Sequence, residues 1–242
     1  MTKSLSVFLV TLYLLAVNAF AFAPNASDAD IKLELYKMTV KGHKSVGYSA
    51  AKRALFGSLH LEQGEAGYYV KDLYCEKKFT KGVGPGNLPD QNQLNCEHTW
   101  PQSKFSKNFP PEIQKSDLHH LYPTDSKANS TRGNFDFADV VRNENLTNCS
   151  ASRSGASVVA GGDNFFEPPT SHKGNVARAL FYFSIRYKMP INENQESFLR
   201  RWHEIDPVDE EEMKRNDEIE KIQGNRNPFI DNPNLVHQIK EF

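Results

Sequence analysis

No Cys-x-x-Cys pair occurs in this 242-residue chain, which has three cysteines, Cys75, Cys96 and Cys149. Zinc sites built on cysteine usually take their ligands from such closely spaced pairs, so their absence argues against one. An odd number of cysteines also means that an oxidised protein keeps at least one thiol outside its disulfides.

Long apolar runs are missing beyond the N-terminus. Leu5 to Val17 is mostly apolar but shorter than the roughly 20 residues that span a bilayer, which disfavours an uncleaved membrane anchor. Lys3 precedes this run and Ala19-Phe-Ala21 follows it, which is the pattern of an export signal with a small-residue cleavage site. We predict a cleaved signal peptide at residues 1–21 and one mature domain at 22–242, exported and without an anchor.

An excess of charge of either sign is absent too. The chain has 29 Lys and Arg against 30 Asp and Glu, for a formal net charge of −1. This balance gives no global signal for a polyanion, so any nucleic-acid surface must be a local one. The length suits a single globular domain with a sizeable core.

The most informative stretch runs from Asn95 to Lys104, with Glu97-His98 at its centre. A carboxylate can hold a hard divalent cation through oxygen. An imidazole, with an ordinary pKa of about 6.5, can accept a proton from water near neutral pH. Taken alone, this dipeptide is more typical of an exposed acid beside a hydrogen-bonded histidine, so a site prediction needs further support.

That support comes from residues 116–135. They contain Asp-Leu-His-His-Leu-Tyr-Pro at 117–123 and Asn-Ser-Thr-Arg-Gly-Asn-Phe at 129–135. Together with Glu-His-Thr-Trp-Pro at 97–101, these strings resemble, in the same order, the motifs of the bacterial endonuclease I family of secreted or periplasmic nucleases. The resemblance extends from about Tyr69 to Phe229.

The resemblance implies an α+β fold with a ββα-metal, or His-Me finger, core of hairpin and helix, surrounded by mostly α-helical segments. It makes Glu97 and Asn129 the ligands of Mg²⁺, with other divalent cations as alternatives, and His98 the general base. Arg132 could bind a phosphate oxygen through its planar guanidinium, or instead pair with Asp125 or Asp136.

The implied activity is Mg²⁺-dependent hydrolysis of DNA with little sequence preference, giving 5′-phosphate products, in the bacterial periplasm or outside the cell. RNA remains open as a further substrate, and a monomer is expected. Asp117, His119 and Asn134 are interpreted as supporting residues that hold the loop and helix in place. Five cations are candidate phosphate contacts, although each could be a solvated surface charge: Lys104, Lys107, Lys173, Arg178 and Arg226.

The other segments predict the setting of the site. Residues 68–75 have the aromatic and branched composition of a strand. The run into Glu97 is predicted to be its hairpin partner, with the Gly- and Pro-containing residues 79–92 as the loop. Thr124-Asp125 can cap a short helix that carries Asn129 and Arg132. Apolar residues at helical spacing predict helices within 27–60 and after Ser171, a candidate cap.

Export makes a disulfide expected. If the predicted hairpin forms, Cys75 and Cys96 can face each other, and theirs is the pairing that we predict. Cys96–Cys149 is the competing pairing.

Two other function classes stay open. One is a catalytically silent DNA-binding or DNA-uptake protein on the same fold. The other is a zinc-dependent secreted hydrolase that uses His98, His119 and His120. Asn129-Ser-Thr131 is also a formal glycosylation sequon, and a glycan there would block the metal ligand. The site therefore requires a host that leaves Asn129 unmodified, as a bacterium does.

Overall fold

The computed structural model describes residue 22, residues 26–157 and residues 164–242. The predicted signal peptide at residues 1–21 lies outside the described residues. Within the described part, no helix is both long enough and apolar enough to cross a membrane.

Helices make up most of the regular structure. Within the described residues they are α1 (Asp28–Val40), α2 (Tyr48–Ala54), α3 (Pro111–Lys115), α4 (Ser126–Arg132), α5 (Lys173–Tyr187), α6 (Glu193–Ile205), α7 (Glu210–Gln223) and α8 (Pro228–Asp231). A π-helical turn, Leu55–Leu59, continues α2, and short 3-10 turns lie at Gln102–Lys104, Leu118–His120, Thr170–His172 and Pro233–Gln238.

The strands are short and form three small sheets among the described residues. The first has the order β1 (Leu61–Gly64), β2 (Gly67–Lys71) and β3 (Lys78–Phe79), and the second pairs β4 (Leu94–His98) with β5 (Leu121–Asp125). In the third, β8 (Phe165–Glu167) lies between β6 (Asp136–Phe137) and β7 (Arg153–Gly155). Small sheets among many helices make this an α+β fold, as predicted.

The helix ends follow the local sequence. Ser27 caps α1 through the amide of Asp30, whose carboxylate accepts from the Ser27 amide in return. Helix α7 is followed by Gly224 in the left-handed conformation, which ends the helix. The predicted cap Ser171 is wrong, because the 3-10 turn Thr170–His172 precedes α5 and His172 occupies the cap position.

The predicted hairpin is wrong in its strand pairing. The antiparallel partner of β4 is β5, with Glu97 opposite Tyr122 and His98 opposite Leu121. Strand β2 instead pairs with its sequence neighbours β1 and β3. It ends at Lys71, before the tight turn 72–77, and so never reaches β4. The helix prediction is confirmed: β5 ends at Asp125, whose carboxylate accepts from the amides of Lys127 and Ala128 and caps α4.

The predicted Cys75–Cys96 disulfide is also wrong. Cys75 is bonded to Cys149, with their Cα atoms 4.9 Å apart, and Cys96 is a buried free thiol. The cause is the changed strand pairing. Cys75 lies in the turn after β2, next to the loop that carries Cys149, whereas Cys96 packs in an apolar cluster with Leu94 and Leu121.

Two apolar clusters support the structure. The larger centres on α5, in which every residue except Asn175 is buried and which packs against α1, α6 and α8. The smaller lies against β4 and β5 and includes residues of α2 and the π-helical turn. The β4–β5–α4 unit therefore rests on a packed base, with the polar side of β4 left to form a site.

Candidate functional site

The residues of the sequence motifs meet at an open cleft of about 550 Å³. Strand β4 contributes Glu97 and His98, helix α4 contributes Asn129 and Arg132, and Asn134 follows the end of α4. A strand pair followed by a helix thus brings together side chains that are distant in sequence.

The Glu97 carboxylate is buried and held through one oxygen. The hydroxyl of Tyr74 and Nη1 of Arg132 both donate to Oε1, each at 2.9 Å. Burial raises the pKa of Glu97 above its usual range, while the Arg132 guanidinium and the Tyr74 hydrogen bond oppose that rise by favouring the ionised form. Among the described side chains both donors use Oε1, so Oε2 is the oxygen left for a ligand in the cleft.

Arg132 is buried against Glu97 in the wall of the cleft. It is 1% exposed. Besides Glu97, its guanidinium donates to the backbone carbonyls of His98 at 3.0 Å and Thr99 at 2.7 Å, and it lies over the ring of Phe137. Arg132 therefore makes neither the predicted phosphate contact nor an ion pair with Asp125 or Asp136. Its positive charge instead holds the Glu97 carboxylate in place.

His98 has a defined tautomer. Its Nε2 lies 3.1 Å from the carbonyl oxygen of Lys115. A carbonyl can only accept, so Nε2 carries the hydrogen and Nδ1 is the basic atom. Gln102 donates to Nδ1 at 3.3 Å from the cleft wall. Burial, followed by the neighbouring His120, lowers the pKa of His98 to about 3, so the ring is neutral at physiological pH.

Asn129 is oriented by a chain of amide hydrogen bonds. Its Nδ2 donates to Oδ1 of Asn95 at 2.7 Å, and Nδ2 of Asn95 donates to the hydroxyl of Ser126 at 3.3 Å. Oδ1 is therefore the atom of Asn129 available to a cation. Glu97 Oε2 and Asn129 Oδ1 are hard oxygen donors that line the same cleft. Two protein ligands suit Mg²⁺, which keeps several of its waters.

The alternative of a three-histidine zinc site is not supported. His119 and His120 direct Nε2 to the carbonyl oxygens of Asn225 at 3.1 Å and Gln114 at 2.7 Å. No group of three or more His, Cys, Asp or Glu side chains in the described residues could hold a metal ion. His120 packs beside His98, with 5.4 Å between the ring centroids, and His119 packs against Tyr182.

Of the predicted supporting residues, Asp117 lies in the interior and Asn134 lies at the surface of the cleft. Asp117 is fully buried and accepts from Tyr182 at 2.9 Å, Tyr187 at 2.8 Å and Gln223 at 2.9 Å. It therefore ties the Leu118–His120 turn to α5 and α7. Asn134, by contrast, is exposed at the cleft.

Most of the predicted phosphate contacts are engaged elsewhere. Lys173 and Arg178 are buried against carboxylates, Lys173 with Asp139 and Glu167 and Arg178 with Glu212. These two predictions are wrong, because neither cation is available to a phosphate. Arg226 is bonded to three acids, and Lys104 is paired with Asp136 at 2.6 Å. Lys107 is exposed and stays a candidate.

Two other lysines lie beside the base and were missed. The ammonium groups of Lys52 and Lys115 lie 5.0 Å and 4.6 Å from the centroid of the Tyr48 ring, and that ring lies 5.5 Å from the ring of His98. Neither lysine forms an ion pair with a described carboxylate. No sequence pattern marks them, because they belong to separate helices.

Asn95, Gln102 and Tyr74 were missed as well. The two-residue period of β4 puts Asn95 on the same side as Glu97, so strand alternation could have identified it. Gln102 could have been suggested by its closeness to His98 in sequence. Tyr74 gives no local signal, since only the tertiary fold brings it to Glu97.

Comparison with known proteins shows which protein family this chain resembles. The family model of endonuclease I matches residues 27–234. The extracellular ribonuclease of Bacillus subtilis is 31% identical to the chain, over 90% of the chain and 76% of that protein. In Aeromonas hydrophila an extracellular deoxyribonuclease is 30% identical over 58% of the chain and 59% of its own length, and a periplasmic deoxyribonuclease is 28% identical over 58% and 57%.

Proposed function

Because the chain belongs to the endonuclease I family, we propose that it is an exported, Mg²⁺-dependent endonuclease that hydrolyses phosphodiester bonds of DNA and RNA and leaves 5′-phosphate ends. The observation that carries this proposal is that Glu97, His98 and Asn129 line one cleft, in which hydrogen bonds fix the carboxylate, the amide and a ring with unprotonated Nδ1. For the β4–β5–α4 unit we propose the ββα-metal assignment.

The protein groups divide the chemistry between them. Nδ1 of His98 accepts a proton from the attacking water, while the carbonyl of Lys115 keeps Nε2 protonated and the ring oriented. Glu97 and Asn129 would hold the divalent cation, whose positive charge favours the negative charge that develops on the phosphate in the transition state. Attack on phosphorus with departure of the 3′ oxygen gives a 5′-phosphate.

Neither kind of nucleic acid is excluded by the site. The Bacillus subtilis relative, similar over 90% of the chain, is named a ribonuclease, whereas the two Aeromonas hydrophila relatives, similar over 58%, are named deoxyribonucleases. Recognition through phosphates carries no base information, which fits low sequence preference. We therefore propose both DNA and RNA as substrates.

Export agrees with the relatives, which are extracellular or periplasmic. Residues 1–21 are proposed as the signal peptide that directs it. The Cys75–Cys149 bond belongs to the same oxidising setting.

The test of this function uses the purified mature protein with supercoiled plasmid and single-stranded RNA. We expect Mg²⁺ to support nicking of the plasmid and cleavage of the RNA, and chelator to abolish both. Ligation of the cut ends without prior phosphorylation checks for 5′-phosphates. Glu97→Gln is the matched inactive control. Folded protein that cleaves neither substrate at any Mg²⁺ concentration would contradict the proposal and favour a silent binding protein.

A second prediction concerns the phosphate-binding surface. Lys52 and Lys115 lie over the Tyr48 ring beside the base. Neither forms an ion pair with a described carboxylate, so we expect them to bind substrate phosphates. The Lys52→Gln/Lys115→Gln double variant should bind DNA more weakly at fixed salt, and the slope of log affinity against log salt should fall by about 2, one per phosphate contact. The measurement is a filter-binding or anisotropy titration at several salt concentrations, with calcium in place of magnesium.

Lys188→Gln is the matched control for this pair. Lys188 also lies over a tyrosine, at 4.3 Å from the ring centroid of Tyr36, but that tyrosine belongs to α1, whereas Tyr48 packs against the ring of His98. Its salt slope should equal that of the wild type. An unchanged slope in the double variant would show that the phosphate path lies elsewhere.

A further inference from the structure

The way Glu97 is held gives a role to Tyr74. Two donors, the Tyr74 hydroxyl and Arg132 Nη1, converge on the same oxygen, Oε1, at the same distance of 2.9 Å. With Oε1 occupied and the carboxylate fixed, Oε2 is the oxygen that can meet a cation. We propose that Tyr74 is a positioning residue that commits Oε2 of Glu97 to the metal, an inference that rests on the function proposed above.

Tyr74 sits in a turn that is fixed from within. The carboxylate of Asp72 is fully buried and accepts from three backbone amides of the turn, those of Tyr74 at 3.1 Å, Cys75 at 2.8 Å and Lys77 at 2.8 Å. An Asp side chain that accepts hydrogen bonds from the amides of its own turn holds the backbone of that turn in one conformation. The hydroxyl therefore has a defined position.

The same turn is fixed to both ligand-bearing elements. Asp72 also accepts from the amide of Asp125, the residue that caps the helix carrying Asn129, at 3.1 Å. On the other side, Ser152 donates to the carbonyl of Tyr74 at 2.6 Å, next to the disulfide. The turn is therefore hydrogen-bonded both to the Glu97 carboxylate and to the start of α4, the helix that carries Asn129.

Packing alone does not explain a tyrosine here. The ring is 1% exposed and lies 4.5 Å from the Phe166 ring, centroid to centroid, so phenylalanine would fill the same space. A buried hydroxyl is unfavourable unless it is hydrogen-bonded. Among the described residues its hydrogen bond goes to Glu97, so the polar atom serves the carboxylate.

The test measures metal binding directly with Mn²⁺, by calorimetry or by its electron spin resonance signal, on protein without substrate. Tyr74→Phe should weaken Mn²⁺ binding by ~10–100-fold, the usual effect of removing a group that supports a metal ligand. In the nicking assay, the Mg²⁺ concentration for half-maximal rate should rise by a similar factor, and excess Mg²⁺ should restore most of the rate.

The pH dependence gives a readout that a merely structural role would not change. The lost hydrogen bond favoured ionised Glu97, so in Tyr74→Phe the carboxyl pKa should rise and the acid limit of Mn²⁺ binding should move to higher pH. Tyr187→Phe is the matched control, because it removes another buried hydroxyl from a buried carboxylate, that of Asp117. It should lose stability but keep the wild-type Mn²⁺ affinity.

Ser152→Ala removes a hydrogen bond to the backbone carbonyl of Tyr74 without changing the tyrosine side chain, and should weaken Mn²⁺ binding in the same direction by a smaller factor. Wild-type affinity in both Tyr74→Phe and Ser152→Ala, alongside weakened binding in Glu97→Gln, would overturn the inference about Tyr74. Wild-type affinity in Glu97→Gln as well would instead overturn the proposed metal site.

Discussion

Replacing His98 with alanine is expected to lower the rate of phosphodiester cleavage by about 10²–10⁴-fold, the usual contribution of a general base. The expectation rests on the tautomer, since the Lys115 carbonyl keeps the hydrogen on Nε2 and leaves Nδ1, to which Gln102 donates, as the unprotonated atom that can accept a proton. Metal binding should be unaffected, because neither proposed ligand atom belongs to His98. The measurement is the nicking rate as a function of Mg²⁺ concentration, with folding checked by circular dichroism.

The three central residues should respond differently to added metal. Excess Mg²⁺ should restore part of the rate of Asn129→Ala, because an amide contributes only a dipole to the cation, but it should not restore His98→Ala. Glu97→Ala should lose more metal affinity than Asn129→Ala, since it removes a charge. His237→Ala, at an exposed histidine paired with Glu204, is the matched control and should cleave normally. Near wild-type cleavage by folded His98→Ala would refute its role as base.

The second large effect is on stability in acid. Four buried histidines have their pKa lowered mainly by burial, to about 3 for His98, His119 and His172 and about 4 for His120. In the unfolded chain each takes up a proton near pH 6.5. Between about pH 6.5 and 4 the unfolded state therefore binds more protons than the folded state, and the free energy of unfolding falls as the pH falls.

The size of this effect is comparable with the stability of a typical domain. At pH 5 each such histidine lowers the free energy of unfolding by about 2 kcal/mol, or roughly 8 kcal/mol for four, against about 5–15 kcal/mol in total. Glu97 and Glu212 act in the opposite direction, because burial raises the pKa of both, but they are fewer. We expect the protein to unfold between about pH 4 and 5.

Urea unfolding at pH 7, 6 and 5 checks this expectation, and the midpoint should fall steeply. His172→Phe should flatten the dependence by up to one proton, since the His172 ring packs edge-on against Tyr122 and phenylalanine can replace it. His237→Phe, at an exposed position, is the matched control. If the urea midpoint at pH 5 equals that at pH 7, the buried histidines have the same pKa in the folded protein as in the unfolded chain, and the expectation is wrong.

The sequence allowed the centre of the site to be predicted but not its surroundings. Glu97, His98 and Asn129 lie within short sequence motifs, and Asp125 is a strong helix cap. These residues could therefore be identified from their neighbours in the sequence. Strand β5 was missed because Pro123 argues against a strand interior. The two-stranded sheet tolerates it because both of its strands are edges.

The errors in charge and cysteine assignment have a common physical cause. Lys173 and Arg178 look like surface cations in sequence, but their burial depends on acids 6 to 34 residues away along the chain. Tyr74 likewise reaches Glu97 only through tertiary folding. Contacts of this kind depend on the packing of separate elements, which single-sequence periodicity does not encode.

The position of the disulfide has a consequence for oxidative folding. Its cysteines are 74 residues apart, whereas Cys96 lies much nearer to Cys75 along the chain. In an unfolded chain the shorter Cys75–Cys96 loop closes with an entropic advantage of about 1 kcal/mol, so early oxidation favours the mispaired form. The native bond is protected from this competitor once β4, which contains Cys96, has packed, because burial raises the pKa of the Cys96 thiol to about 12 and removes the thiolate that would attack. The order of events during export, packing of β4 before oxidation or after it, therefore decides whether a chain reaches its native pairing directly or only by disulfide exchange.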